Sequence, residues 1–175
     1  MVKPGIQTLQ IPDDGIFPNN NTLPLILMQL VFDPTAKNLV RAIEKTFHAN
    51  AWGRSWRNGI YNFHHYHSTA HEVLGLYAGR VKAQFGGPDG QMVSAEAGDV
   101  IIIPAGVSHK NIEQSSDFRC VGAYPGGQSP DMQYGRPDER PQVDQNIGSV
   151  PFPKTDPVFG EDGPLLEIWG KALKT

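Results

Sequence analysis

Short apolar stretches recur through the middle of the chain, separated by glycine, proline and aspartate, and their period is two. Val81, Ala83 and Phe85 alternate with Lys82 and Gln84, which predicts a strand over 81–85 with one face in water. The same reading predicts strands over 25–32, 61–67, 72–78, 93–96, 99–103 and 118–124. Val100 to Ile103 show no alternation, so both faces of that strand are expected to be buried. An N-terminal helix is one candidate cover and a second subunit is another. Gly86, Gly87, Pro88, Asp89 and Gly90 supply a hairpin connection.

One stretch changes period. Leu39, Val40, Ile43 and Phe47 form a helical stripe. Asp33 followed by Pro34 offers an N-cap and a proline at the first helical position, so the helix is expected from there to about His48. His48 then sits where it can interact with the helix dipole. Residues 1–23 read as an irregular arm, with turn chemistry at Asp13, Asp14 and Gly15 and again over 18–21. Beyond Pro125 the chain is rich in proline, glycine and aspartate until a last apolar segment over 165–169. That tail holds too many prolines for core sheet. It is expected to wrap the barrel or a second subunit.

Composition narrows the class. The 175 residues can bury a real core and need only one domain. The 19 glycines and 15 prolines fit many turns between short strands. Fifteen basic and 18 acidic residues are well mixed and net to −3, so nothing points to nucleic acid. The single Cys120 excludes an intramolecular disulfide and reads as a small core residue rather than a nucleophile. The apolar runs are too short for a membrane span, and the first residues lack a signal peptide's apolar core. A soluble cytoplasmic protein is the expectation.

Against this background stand His65, His67, Glu72 and, well downstream, His109. Residues two apart on a strand share a face and lie about 7 Å apart along it. Two imidazoles so placed can lean toward one ion at about 2.0–2.1 Å per bond. Glu72 follows His67 by five positions, so the chain between must turn or bulge before Glu72 can face the same interior. His71 could replace Glu72 as fourth ligand, or sit behind it. His109 follows a second turn signal, Pro104-Ala105-Gly106. Three imidazoles and one carboxylate suit iron, manganese, nickel, cobalt or zinc alike. A six-coordinate ion would keep two positions for water, oxygen or substrate. The rival reading is a barrel that keeps these residues and holds no metal.

Strand parity extends the site. If His65 and His67 face inward, so do Tyr61 and Phe63, while Asn62, His64 and Tyr66 face outward. Tyr61 becomes a candidate polar handle for a ligand. Leu74, Leu76 and Ala78 share the face of Glu72, so the pocket is expected to be mostly apolar with a few convergent polar groups. Trp52, Arg54, Trp56 and Arg57 form either an anion-binding lip near the barrel mouth or ordinary packing with solvated arginines. The glycines over 122–127 lack the ending of a phosphate loop.

These residues resemble the two motifs of the cupin superfamily. Gly59, His65, His67, Glu72 and Gly79 fill every position of the first motif. Gly98, Pro104, Gly106 and His109 match the second, where Glu113 stands in place of a final asparagine that is not a ligand in the family. The motif-level match covers 59–113. More loosely, the whole chain, including Gly122-Ala123-Tyr124-Pro125 and Val150-Pro151-Phe152-Pro153, resembles the YjlB-like bacterial single-domain cupins. The resemblance implies a mainly β fold, the double-stranded β-helix or jelly-roll barrel, with one short N-terminal helix. One cupin domain would span 1–175. It would comprise an arm, strand and helix over 1–58, the barrel motifs over 59–124 and a Pro-rich segment over 125–175.

The resemblance also implies a divalent transition metal on His65, His67, Glu72 and His109, and a small-molecule ligand or substrate. The ligand set resembles that of acireductone and quercetin dioxygenases and of manganese oxalate oxidases, so oxygen-dependent, dioxygenase-like oxidation is the most concrete reaction expected. The alternatives are a metal-assisted isomerase or lyase, or a non-catalytic sensor of a small molecule or metal. Catalytic residues other than the candidate Tyr61 cannot be named from the sequence. The arm, the tail and the doubly apolar strand together raise the expectation of a homodimer.

Overall fold

Six antiparallel strands make the main sheet of this protein, whose computed structural model describes residues 4–175. In chain order they are β1 (Gly5–Ile11), β2 (Asn20–Gln29), β3 (Trp52–Asn58), β4 (Glu72–Ala78), then β7 (Val100–Ile103) and β9 (Arg119–Pro125). Their order across the sheet is β1-β2-β7-β4-β9-β3. A second sheet holds β5 (Arg80–Phe85), β6 (Gln91–Glu96) and β8 (His109–Gln114), in the order β6-β5-β8. The two sheets face each other as the jelly-roll barrel of a double-stranded β-helix.

Period-two alternation divides the central strands between two cores. Leu25, Leu27, Leu74, Leu76, Ile101, Ile103 and Cys120 turn into the barrel and meet Val81, Ala83, Phe85, Val93 and Ala95 of the smaller sheet. Ile26, Met28, Val73, Val100, Ile102, Val121 and Ala123 turn the other way. There they meet helix α1 (Leu39–Ala49) through Leu39, Ile43 and Phe47, and helix α3 (Pro164–Ala172) through Leu165 and Trp169. Gly75 allows α1 to lie close. A Cβ at that position would stand 2.6 Å from Ile43 Cγ2 and 2.9 Å from Phe47 Cζ. Both faces of β7 are thus covered from within the chain.

Several elements differ from expectation. The stretch read as an irregular arm contains β1, an exposed edge strand held to β2 by backbone pairing, and the start of β2. Residues 1–3 of that arm lie outside the described residues. The helix starts at Leu39, not at Asp33-Pro34, because the Asp33 carboxylate accepts from the N–H and hydroxyl of Thr35 and closes a turn instead. Residues 61–67 do not form a strand. They meet β8 through the His65↔His109 bridge and the Asn111 N–H bond to the Tyr61 carbonyl, and bridge the tail at Tyr66↔Gln133; the strand before β4 is the earlier β3. β8 also follows directly from His109.

The expected single helix is one of three. The tail contains α2 (Gln142–Ser149) and α3, with Pro164 in the first turn of α3, where its missing N–H costs nothing. The tail folds back on its own barrel. The Trp169 indole is fully buried and donates to the Pro24 carbonyl at 2.9 Å. The buried Asp156 carboxylate accepts from the N–H groups of Val158, Phe159 and Leu165. The tail and strand β7, from which a homodimer was expected, are therefore both satisfied within one chain. Among the described residues no helix is long and apolar enough to cross a membrane.

Trp169 closes the outer core and fills a large volume there. Trp169→Ala is expected to cost about 3–5 kcal/mol of stability. Urea unfolding checks this; a loss under about 1 kcal/mol would show that the tail is not part of the folded core.

Candidate metal centre

Backbone pairing brings the motif residues to one place. His65 and His109 exchange both hydrogen bonds, His109 N–H to the His65 carbonyl at 2.9 Å and His65 N–H to the His109 carbonyl at 3.3 Å. Gly106 N–H donates to the His67 carbonyl at 2.7 Å, which fastens the turn of the second motif beneath the first. Glu72 is the first residue of β4 and His109 the first of β8. The donor atoms of His67, Glu72 and His109 lie within 4.8 Å of one another, and all three residues are buried, so this group could hold a metal ion. His65 stands outside that triplet but beside it. Its ring centroid is 4.1 Å from that of His109 and 6.1 Å from that of His67.

The hydrogen bonds behind the rings decide what the rings present in front. His65 Nδ1 meets the Phe63 carbonyl at 3.0 Å, His67 Nδ1 the Asp131 carbonyl at 2.5 Å and His109 Nδ1 the Val107 carbonyl at 3.1 Å. A carbonyl oxygen only accepts, so each Nδ1 carries the hydrogen. In the neutral ring each Nε2 is then a lone pair. His67 Nε2 lies 3.2 Å from Glu72 Oε2, and His109 Nε2 lies 3.3 Å from Glu72 Oε1. A lone pair facing a carboxylate oxygen at that distance is repulsive unless a proton or a cation lies between. The donor set therefore fits a divalent metal, with outer hydrogen bonds of the kind that orient ligating histidines.

Without a metal, protons take that role. Burial disfavours a charged His67, but the Glu72 carboxylate, its hydrogen bond and Asp131 outweigh it and raise the pKa to about 9. Burial would raise Glu72, yet His67 and His109 hold it well below the ordinary carboxylate range. Burial, with His109 alongside, pushes His65 down to about 3. Burial also keeps the Cys120 thiol protonated.

The neighbours of the site sort clearly. His71 faces away from it: its Nδ1 accepts from Ala105 N–H at 2.9 Å, its ring lies 4.7 Å from Trp169, and burial lowers it to about 3. Tyr61 lines the cavity and is 50% exposed; Phe63 stacks on it at 5.0 Å but, against expectation, does not line the cavity. Tyr66 has the expected opposite parity but is fully buried rather than outward. Its hydroxyl donates to Glu139 at 2.6 Å beneath the returning tail. His64 is half-buried against Phe17. Of the arginine–tryptophan cluster, Trp52 is buried and Arg57 is paired through two bonds with Glu44 at 2.6 and 2.9 Å, so its charge is committed.

Two contributors were not found from sequence. Asp131, in the Pro-rich segment, clasps His67 through its carbonyl. Its carboxylate accepts from the Ser68 hydroxyl and from the N–H groups of Ser68 and Thr69. Tyr124 donates to Glu72 Oε2 at 2.9 Å. A cavity of about 390 Å³ opens over the site, walled by Trp56, Ile60, Leu74, Tyr124, Asp131 and Met132 among others.

A jelly-roll barrel that turns His-x-His, Glu and a distant His into one cavity defines a cupin. The chain is 40% identical over 165 residues to YjlB of Bacillus subtilis (strain 168), a match covering 94% of this chain and 97% of that protein. The chain belongs to the YjlB family of cupins. No protein-family model matches it. Among solved structures, it resembles acireductone dioxygenase from Bacillus anthracis with cadmium in its active centre. That match has a TM-score of 0.45 and 13% identity over 61% of this chain and 82% of that one. It also resembles RmlC from Streptococcus suis in complex with dTDP-D-xylose, with a TM-score of 0.39 and 11% identity over 94% and 93% of the two chains. At so low a structural overlap, neither likeness bears on the chemistry of this chain.

Two expectations follow. In metal-free protein the stability contributed by His67 is fully present below the unfolded pKa of 6.5 and is lost as pH rises through about 9. His65 and His71 act with opposite sign: their contribution is present above 6.5 and declines as pH falls toward 3. The thermal midpoint of metal-free protein should therefore peak near the unfolded histidine pKa, and His67→Ala should remove the alkaline decline. A midpoint still rising at about pH 9 would contradict this assignment. Second, His67→Ala should weaken metal binding sharply, while Glu72→Gln should weaken it and change metal preference. His64→Ala should leave metal content unchanged by elemental analysis. Loss of metal in His64→Ala but not in His67→Ala would place the wrong face toward the ion.

Proposed function

We propose that this cupin is a metal-dependent enzyme acting on a small molecule, with His65, His67, Glu72 and His109 as metal ligands and an oxygen-dependent, dioxygenase-like oxidation as its reaction. One observation carries the metal reading: all three histidines commit Nδ1 to a backbone carbonyl, and the Nε2 atoms of His67 and His109 face the Glu72 carboxylate. A divalent transition metal held there would supply Lewis-acid chemistry and, if redox-active like iron or manganese, electron transfer. The protein contributes orientation and dryness. Leu74, Ile60, Met132 and Trp56 give the cavity apolar walls, and Tyr61 offers a hydroxyl at its mouth.

The choice of oxidation over isomerisation rests on the carboxylates. A metal-assisted isomerase moves a proton with a base beside the substrate, and a carboxylate that already accepts hydrogen bonds is a weaker base. Both carboxylates that line the cavity are engaged. Glu72 faces His67, His109 and Tyr124, and Asp131 is held by Ser68, Thr69 and Gln133.

Reconstitution with iron, manganese, nickel, cobalt and zinc in turn should give about one bound ion per chain. Chelation should then lower the melting temperature, because a ligand bound only by the folded state adds stability. Oxygen consumption by the loaded protein, followed across a panel of small molecules sized to the cavity, tests the reaction. Turnover without oxygen would replace oxidation by isomerisation, and ligand-induced stabilisation with no turnover would make the protein a sensor.

A further inference from the structure

We infer that Tyr124 is a positioning residue that fixes the charge distribution on Glu72, and that Trp56 fixes the direction of the Tyr124 hydroxyl. The consequence for metal binding rests on the metal reading above; the hydrogen-bond relay itself does not.

Proton direction follows from what each group can do. An indole N–H only donates, and Trp56 Nε1 donates to the Tyr124 hydroxyl at 2.8 Å. Having accepted there, the hydroxyl turns its own hydrogen to the acceptor 2.9 Å away, Glu72 Oε2. The order Trp56 to Tyr124 to Glu72 therefore runs one way. The two carboxylate oxygens become unequal. Oε2 meets both Tyr124 and His67, whereas Oε1 meets His109 alone. Oε1 is left the more basic oxygen, and Glu72 is held against rotation about its last bond.

Local backbone features seat the relay. Trp56 pairs with Gly122 across the β3–β9 ladder, and the register shifts between Gly53 and Trp56. That irregularity contains Arg54 at φ +53° and re-aims the tryptophan toward the cavity. Gly122 carries no side chain at the spot the indole occupies. A Cβ there would fall 2.2 Å from two of its ring carbons. A bulge, a bare glycine and an ordered donor–acceptor chain thus converge on one carboxylate oxygen. Tyr124 itself is 6% exposed, and burial together with Glu72 keeps its phenol protonated.

Cobalt(II) titration of wild type, Tyr124→Phe, Trp56→Phe and Gly122→Ala tests the consequence. Tyr124→Phe should raise the cobalt dissociation constant about 10–100-fold and shift the cobalt visible absorption. Trp56→Phe and Gly122→Ala should act in the same direction but less. Equal affinity and spectrum in Tyr124→Phe would overturn the positioning role. A second measurement needs no metal. In metal-free protein the Trp56 indole N–H resonance, identified by its loss in Trp56→Phe, should move on Glu72→Gln and should not move on Glu72→Gln in a Tyr124→Phe background. The same shift in both backgrounds, or none in either, would overturn the relay. If wild type takes up no cobalt, the metal reading fails, and the indole resonance alone decides the relay.

Discussion

Glu72 is a carboxylate taken almost wholly out of water at the start of a central strand. An isolated carboxylate so placed would take up a proton rather than stay charged. It stays charged because His67, His109 and Tyr124 all turn toward it. Much of the surrounding structure can be understood as holding those three in place. The His65–His109 bridge joins the two motifs. The Asp131 carbonyl orients His67 and the Val107 carbonyl orients His109. Removing a single partner would leave the others aimed at a charge they no longer balance, which makes the group behave as a unit.

The inward residues could be read from sequence because period-two patterning is stiff. β4 spans its expected range, and the strands around it differ by a few residues at their ends. The parity of 61–67 held only in part: Tyr61, His65 and His67 line the cavity, whereas the chain bends at Asn62 and Phe63 and Phe63 touches the Tyr61 and His65 rings from outside the lining. Exposure did not follow parity. Tyr66 points away from the cavity and is nonetheless buried, since the tail that covers it comes from residues about 70 positions later.

What could not be read depends on distant chain or on bare backbone. β1 is mostly exposed and gains its place by pairing with β2, so it carries no strong apolar signal. In β3, the sequence Trp-Gly-Arg-Ser-Trp-Arg breaks alternation at the bulge, which hid the strand. Asp131 lies in a Pro-rich stretch with no periodicity, and it acts on His67 through a backbone oxygen that no residue type advertises. Tyr124 stood in plain sight in β9, but its role depends on Trp56 lying over Gly122, a contact between strands remote in sequence.

The segment around Asp131 has one more consequence. The same residues that set the tautomer of His67 also wall the cavity through Pro130, Asp131 and Met132. Cavity shape and the electron-donor strength of His67 are thereby tied to one short piece of chain. A lineage that reshaped this wall to accept a different molecule would alter the reactivity of the centre in the same step. A change in this wall and a change in the donor strength of His67 should therefore arrive together, with the motif residues themselves unchanged.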